Sequence, residues 1–368
     1  MSKRVSRLSD GRELIYYDDA GSTLPADRPA DTRPLESRPP VPELRLDPLT
    51  GEWISIAAAR QDRTFLPPAE LDPLAPAAPG RPTEIPGDYD VAVFENRFPS
   101  FGPDLAGPDT PIPNIGLGRS RPGFGRCEVI SFGPGSTGSL ASLGAPRMRT
   151  VIEALADRTA ALSALPGIEQ VFPFENRGEA IGVTLHHPHG QVYGYPYVTP
   201  RTSALLRSIA AYGPGLMADI LRHERTSPRL LLAGEHFTAF VPFAARWPVE
   251  FHLLPHRHVP DLAATTAAER DELAISYRRL LAAIDLLYDT PTPYIAAWHQ
   301  APVRHGRDAV RLMLQVTSPR RAEARLKFLA GSESAMGAFI GDIPPERAAA
   351  RLREALAAVP ADGTVSSP

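Results

Sequence analysis

The 368-residue chain contains one cysteine, Cys127. An intrachain disulfide is therefore impossible, and a cysteine-rich metal site is excluded. That usage fits a reducing cytoplasm. No apolar run approaches the roughly 20 residues needed to span a bilayer. Residues 1–19 carry basic side chains but no apolar h-region, so no secretory signal is read there. The formal net charge of −3 gives no long-range pull toward nucleic acid or an anionic membrane. What remains is an ordinary soluble composition, 43% hydrophobic and 22% charged, long enough for two domains or one duplicated fold.

Proline is abundant instead, with 41 residues. Many lie between Pro25 and Pro86, where they exclude helix interiors. Residues 1–42 read as a weakly ordered arm, because Ala20–Pro42 is rich in Pro, Asp and Arg and poor in apolar side chains. Asp72–Pro86 reads as a second proline-rich stretch, a surface loop. Strands are expected at Trp53–Ile56, Tyr89–Phe94 and Cys127–Phe132, then a helix over Arg149–Leu165. Strands at Ile168–Phe174 and Ala180–Leu185 follow, with a turn at Asn176-Arg177-Gly178. Ser203–Arg225 reads as a helix broken at Gly213-Pro214-Gly215.

The second half repeats that order. Strands are expected at His236–Val241 and Glu250–Leu254, then a helix from Thr266, where Thr266 and Glu269 form a capping box. Strands at Tyr294–Trp298 and Val310–Val316 and a last helix over Glu346–Ala358 complete it. Glu128-Val129-Ile130 is matched with Glu250-Phe251-His252, 122 positions on, and His187–Gln191 with roughly Met313–Gln315. The pattern implies a duplicated α+β unit. The expected division is an arm (1–42), an N-terminal catalytic domain (43–198), a C-terminal domain (199–358) and a tail (359–368).

The segment richest in chemistry is Thr184-Leu185-His186-His187-Pro188-His189-Gly190-Gln191. In extended chain His187, His189 and Gln191 face one side, because side chains alternate with period two. Two imidazoles and an amide suit phosphate chemistry: neutral imidazole attacks phosphorus, and an amide donates to a non-bridging oxygen. A His-x-His spacing also serves metals, and isolated histidines are often structural. The residues by themselves leave all three readings open.

His187-Pro188-His189-Gly190-Gln191 resembles the active-site motif of the galactose-1-phosphate uridylyltransferase family, a branch of the histidine-triad superfamily. The resemblance covers about residues 44–358. It implies an α+β fold of duplicated histidine-triad-like units, antiparallel sheets with packed helices. It implies that His189 attacks the α-phosphorus of UDP-glucose, that a uridylyl-imidazole forms, and that galactose-1-phosphate takes the UMP to give UDP-galactose. His187 and Gln191 complete the catalytic set. Gln191 stands where histidine-triad hydrolases usually carry histidine, which fits an intermediate that waits for a sugar phosphate. A backbone carbonyl at or near His187 is expected to hold the other ring nitrogen of His189.

Other segments extend the resemblance. Phe94-Glu95-Asn96 resembles the uridine-binding strand end, and Asn176 and Thr184 join the substrate set. Arg60 and Arg63 match arginines that reach the phosphates from a partner subunit, a task suited to guanidinium. Lys327, Phe328, Ser332 and Glu333 match the hexose-binding loop. Together these imply a cytoplasmic homodimer with shared active sites, handling UDP-glucose, UDP-galactose and hexose-1-phosphates, with no nucleic-acid or membrane partner. Many family members bind zinc, but three of the four ligand positions here are Asp72, Ala75 and Ser136, leaving only His187. A second metal site of some members falls on His299, Met313 and Gln315. No tightly bound metal or other cofactor is expected, and none at His252, His256 and His258, which resemble a strand end without catalytic duty. The competing readings are a related adenylyl transferase or dinucleoside polyphosphate phosphorylase, and an inactive nucleotide-sugar-binding protein.

Overall fold

The computed structural model describes residues 1–35, 42–62, 65–102 and 114–361. The chain opens with a hairpin, β1 (Ser2–Arg7) and β2 (Glu13–Asp18). β3 (Glu43–Leu46) and β4 (Trp53–Ile56) follow. Then come β5 (Val91–Glu95), β6 (Asn114–Ile115), β7 (Gly118–Pro122), β8 (Arg126–Ser131), helix α1 (Ala145–Ser163), β9 (Gln170–Arg177) and β10 (His189–Tyr195). Two helices, α2 (Pro200–Tyr212) and α3 (Leu216–Glu224), lead to β11 (Leu230–Ala233), β12 (Phe237–Phe240), β13 (Val249–Pro255), α4 (Ala267–Asp285), β14 (Tyr294–His299) and β15 (Met313–Ser318). β16 (Arg320–Ala322), β17 (Arg325–Leu326), α5 (Gly331–Met336) and α6 (Pro345–Ala358) close it.

Eleven strands form one antiparallel sheet in the order β1-β2-β5-β8-β10-β9-β14-β15-β13-β12-β11. The order is palindromic about the β9–β14 pair. β5-β8-α1-β9-β10 has its counterpart in β12-β13-α4-β14-β15, so the expected duplicated α+β arrangement is what the chain adopts. Helices α1, α4 and α6 cover one face, packing Val151, Leu155, Tyr277, Leu281 and Leu352 on Ile130, Val192, Phe251 and Val316. The α4 capping box forms as the sequence implies: Thr266 N donates to Glu269 Oε2 at 2.7 Å and Glu269 N to Thr266 Oγ1 at 3.2 Å. On the open face a four-stranded sheet, β4-β3-β7-β6, brings Leu44 and Trp53 against Phe101 and Tyr193.

Four expectations give way. Of the arm expected over residues 1–42, the stretch from Ser2 to Asp18 is instead a hairpin whose β2 pairs with β5 at the sheet edge. Leu14, Ile15, Tyr16 and Tyr17 are all buried, feeding both faces of the sheet. Its signal was Asp10-Gly11, a turn pair with Gly11 at φ +83° between two strand-like runs. The expected strand at Ala180–Leu185 is a 3-10 turn, Glu179–Ile181, flanked by Gly178 and Gly182 at positive φ. The stretch from Asp72 is less a surface loop than a wall, since Asp72, Leu74, Thr83 and Ile85 are buried. Lastly, Glu128 and Glu250 are not equivalent. Glu128 turns to the helix face and binds Arg158 of α1, whereas Glu250 turns to the open face and accepts from Gln315. An even offset of 122 preserves letters but not the facing that register imposes.

Beneath the sheet, Glu175 is an ionisable group of consequence. It lies on β9, enclosed by the core, and Tyr294 Oη donates to it at 2.9 Å. Burial pushes its carboxyl up to about 8. The unfolded carboxyl ionises near its ordinary value of about 4.3. Between that value and about 8 the unfolded chain therefore gives up a proton the folded chain retains, and stability falls as pH rises. Glu175→Gln is expected to flatten this dependence and to unfold at higher denaturant than the parent at mildly alkaline pH. Urea midpoints across the window check it; parallel curves for both proteins would refute it.

Candidate active site

β10 starts at His189, so its alternation sets His189, Gln191, Tyr193 and Tyr195 on the open face. Across the ladder His189 stands opposite Ser131, and Gln191 lies between Val129 and Phe174. Gly190 between them approaches Phe174 O so closely that a Cβ there would sit 2.9 Å from it. The sheet therefore closes here only around glycine.

His189 and Gln191 line one wall of an open cleft holding about 770 Å³, mouth included, a size that suits a nucleotide-scale ligand. Arg60, Phe94, Asn96 and Thr184, expected in the substrate set, line the same cleft. Its apolar parts are Leu74, Phe94, Val129 and Leu185. Sequence reasoning missed Leu74, Val129, Arg12 and Glu84. Arg12 arrives through the unforeseen hairpin, where its Nη2 meets Oε2 of Glu84, from the 72–86 wall, at 2.7 Å.

The nucleophile candidate is electrostatically prepared. His189 Nδ1 lies 2.7 Å from His187 O, which fixes the proton on Nδ1 and leaves a lone pair on Nε2. Desolvation lowers its pKa below the usual imidazole value, so the ring is neutral near pH 7. Tyr193 Oη donates to Gln191 Oε1 at 3.0 Å, which turns the amide nitrogen of Gln191 away as a donor. Asn96 Oδ1 accepts from Phe98 N at 2.9 Å and is held likewise. Cys127 is no competitor: burial pushes its thiol up to about 12.

Several expected residues fall elsewhere. His187 does not share the exposed side of His189. Pro188 separates it from β10, and its ring is 2% exposed, facing inward. Asn176 is on β9, one register step beyond the Gly190–Glu175 pair, which puts it level with His189 on the open face, though it does not line the cleft. Arg60 was expected to reach into a partner's site; it lines the cleft of its own chain, its Nη1 donating to Phe98 O at 3.0 Å. Arg63 lies outside the described residues. Lys327, Phe328, Ser332 and Glu333 do not line the cleft. Lys327 Nζ donates to Arg246 O and lies 3.5 Å from Glu333 Oε1.

The positions that the resemblance assigns to zinc do not fit a metal. His187 Nδ1 is 2.6 Å from Asp72 Oδ2, and Nε2 is 2.7 Å from Gly133 O and 3.0 Å from Ser131 Oγ. Both ring nitrogens thus face protein oxygens, Ala75 offers no donor atom, and a tetrahedral site needs four ligands or three plus water. Among the described residues no group of three or more His, Cys, Asp and Glu is placed to hold an ion. At the second site His299 Nε2 meets Gln315 Oε1 at 3.0 Å, and desolvation drops the His299 pKa to about 3.

Residues 34–199 match the family model for the galactose-1-phosphate uridyl transferase N-terminal domain, and residues 200–363 that for the C-terminal domain. A galactose-1-phosphate uridylyltransferase of Streptomyces lividans is 44% identical, over 96% of this chain and 98% of that protein. One from Thermotoga maritima is 33% identical, over 85% and 98%. A solved uridylyltransferase structure superposes with a TM-score of 0.75 at 29% identity, covering 86% of this chain and 98% of its own.

Proposed function

The chain belongs to the galactose-1-phosphate uridyl transferase family, and from that premise we propose that it moves UMP between UDP-glucose and galactose-1-phosphate through a covalent uridylyl-His189. The supporting observation is the neutral His189 ring, its Nδ1 committed to His187 O and its Nε2 lone pair on the cleft side. Nε2 attacks the α-phosphorus, an N–P bond forms, and the P–O bond to glucose-1-phosphate breaks. The ring becomes a phosphorylated imidazolium, whose positive charge the His187 carbonyl already faces. Gln191 and Arg60 donate to oxygens that gain charge as phosphorus expands its coordination. A phosphate oxygen of galactose-1-phosphate then attacks the same phosphorus from the vacated side, and His189 leaves as neutral imidazole. Splitting one displacement into two is the gain of covalent catalysis.

In this reading Phe94, Leu74 and Val129 hold the base, Asn96 and Thr184 the ribose and phosphates, and Asn176 assists beside His189. The hexose end is completed by a second copy, with the partner subunit's Lys327, Phe328, Ser332 and Glu333 supplying the sugar contacts. Phe328 and Met336, both largely exposed in the single chain, fit a surface that a second copy covers. The setting is galactose metabolism in the cytoplasm.

Intact-mass spectrometry after mixing with UDP-glucose is expected to show a UMP adduct that galactose-1-phosphate discharges. Its rate of formation is expected to hold constant down to the ordinary imidazole pKa of about 6.5 and to fall only below it, because the His189 pKa is lowered. An adduct from adenylyl donors alone would favour the adenylyl reading. Tight UDP-sugar binding without any adduct would favour the inactive binding protein.

A further inference from the structure

Beneath the nucleophile loop sits a buried polar cluster that the transfer chemistry does not use. Asp72 Oδ2 meets His187 Nδ1 at 2.6 Å, and Asp72 Oδ1 accepts from Leu74 N at 2.9 Å. On the other edge of the ring, Nε2 faces Gly133 O at 2.7 Å, Ser131 Oγ at 3.0 Å and Tyr89 Oη at 3.3 Å. Tyr89 Oη also reaches Ser131 Oγ at 2.8 Å, Leu74 O at 2.7 Å and Gly133 O at 2.7 Å. Asp72, Tyr89, Ser131 and His187 are all buried. Three separate segments thus converge on the imidazole of the loop that carries His189: the cleft wall at 72–74, Tyr89 ahead of β5, and the end of β8 at 131–133.

Among the described residues that loop has few other hydrogen bonds, one of them Leu66 N donating to Thr184 O at 2.8 Å, three residues before His187. Pro188 has no N–H to give, and its carbonyl accepts from Phe132 N at a long 3.2 Å. The ring of His187 is therefore the main hold on the residue whose carbonyl orients His189. We propose that Asp72, Tyr89 and Ser131 are positioning residues, which clamp His187 without a metal so that its carbonyl keeps His189 in the attacking tautomer. This rests on the proposed role of His189. It also fits the residue at one of the positions that the resemblance assigns to zinc: Asp72 stands there, and a direct hydrogen bond joins it to His187. Partners that orient a reactive histidine through hydrogen bonds are commonly worth 10–100-fold, by analogy with those around metal-bound histidines.

The test combines rate, tautomer and metal content. Asp72→Ala is expected to slow UMP-adduct formation by about 10–100-fold while KM for UDP-glucose changes little. Asp72→Asn, whose Oδ1 can still accept from Leu74 N while its Nδ2 donates to His187 Nδ1, with the ring proton on Nε2 toward Gly133 O, is expected to recover much of the rate. With ¹⁵N-labelled histidine, the wild-type His189 is expected to show a single Nδ1-protonated tautomer and Asp72→Ala a mixture. Dialysis against a chelator is expected to leave the wild-type rate unchanged, with no stoichiometric metal by elemental analysis. An Asp72→Ala protein with wild-type rate and tautomer would overturn the proposal, as would a slowed rate with the tautomer unmoved. Stoichiometric zinc whose removal slows the wild type would overturn it too. A wild type that forms no adduct, yet whose His189 tautomer still depends on Asp72, would sink the proposed function and leave this inference standing.

Discussion

His189→Gly is expected to lower UMP transfer by at least about four orders of magnitude while UDP-glucose still binds. Among the described residues that line the cleft, the ring is the nucleophile that is both neutral near pH 7 and preoriented, through Nδ1 and His187 O. Arg60, Phe94, Asn96, Thr184 and Gln191 line the same cleft and remain in the variant. Binding affinity should therefore fall far less than rate. Folding should be nearly intact, since His189 is at the start of β10 and only partly buried. Single-turnover kinetics, with calorimetric titration of UDP-glucose alongside, separate the two effects. A variant within tenfold of the wild-type rate would move the nucleophile elsewhere in the chain.

The second large effect concerns stability. Arg158 on α1 is buried and binds Glu128 of β8 bidentately, Nε to Oε2 and Nη2 to Oε1, both at 2.8 Å. Glu128 is itself buried, so removing the guanidinium leaves a carboxylate with Arg126 Nε at 3.0 Å as its remaining charged partner. Breaking one side of a buried pair typically costs about 3–5 kcal/mol. Arg126, shared with Glu13 and Glu95, should keep Arg158→Ala toward the lower end of that range. The same helix turn also ties down the N-terminal hairpin, where Tyr17 Oη donates to Asp157 Oδ2 at 2.5 Å and Lys3 Nζ to the same carboxylate. Loss of Arg158 is thus expected to loosen β1 and β2 along with α1. Replacing Glu128 and Arg158 together by methionine should recover part of the loss, because no unpaired charge is then buried. Urea unfolding of the three variants measures this; a single variant as stable as the parent would show the pair to be dispensable.

Much of the architecture is readable from local pattern. The helix at α4 announces itself by Thr266, Glu269 and its apolar stripe, and the strands β8, β9, β13 and β14 by their β-branched and aromatic runs. Those signals depend on residues three to four apart in a helix or two apart in a strand, so a linear string contains them. The segment His187-Pro188-His189-Gly190-Gln191 is legible for the same reason, as are Asp72, Ala75 and Ser136, which are not the usual ligands at the positions that the resemblance assigns to zinc. A single chain of letters also shows that the unit occurs twice.

Facing and partnership were decided by the tertiary structure. Whether Glu128 and Glu250 match depends on which side of the sheet each strand presents, and cross-strand register sets that. His187 looked like a companion of His189 until Pro188 broke the alternation and buried its ring against Asp72, 115 residues away. The hairpin of β1 and β2 reads as part of a polar arm until β5 pairs with it and the core takes in Leu14 to Tyr17. Arg12 and Glu84 meet at the cleft only because that pairing exists. The sequence by itself determined most of the elements, the duplication and the motif that holds the candidate nucleophile, since each is written in a short window. The neighbours of that nucleophile were decided only on folding, because burial and hydrogen bonding act between segments whose separation along the chain carries no local signal.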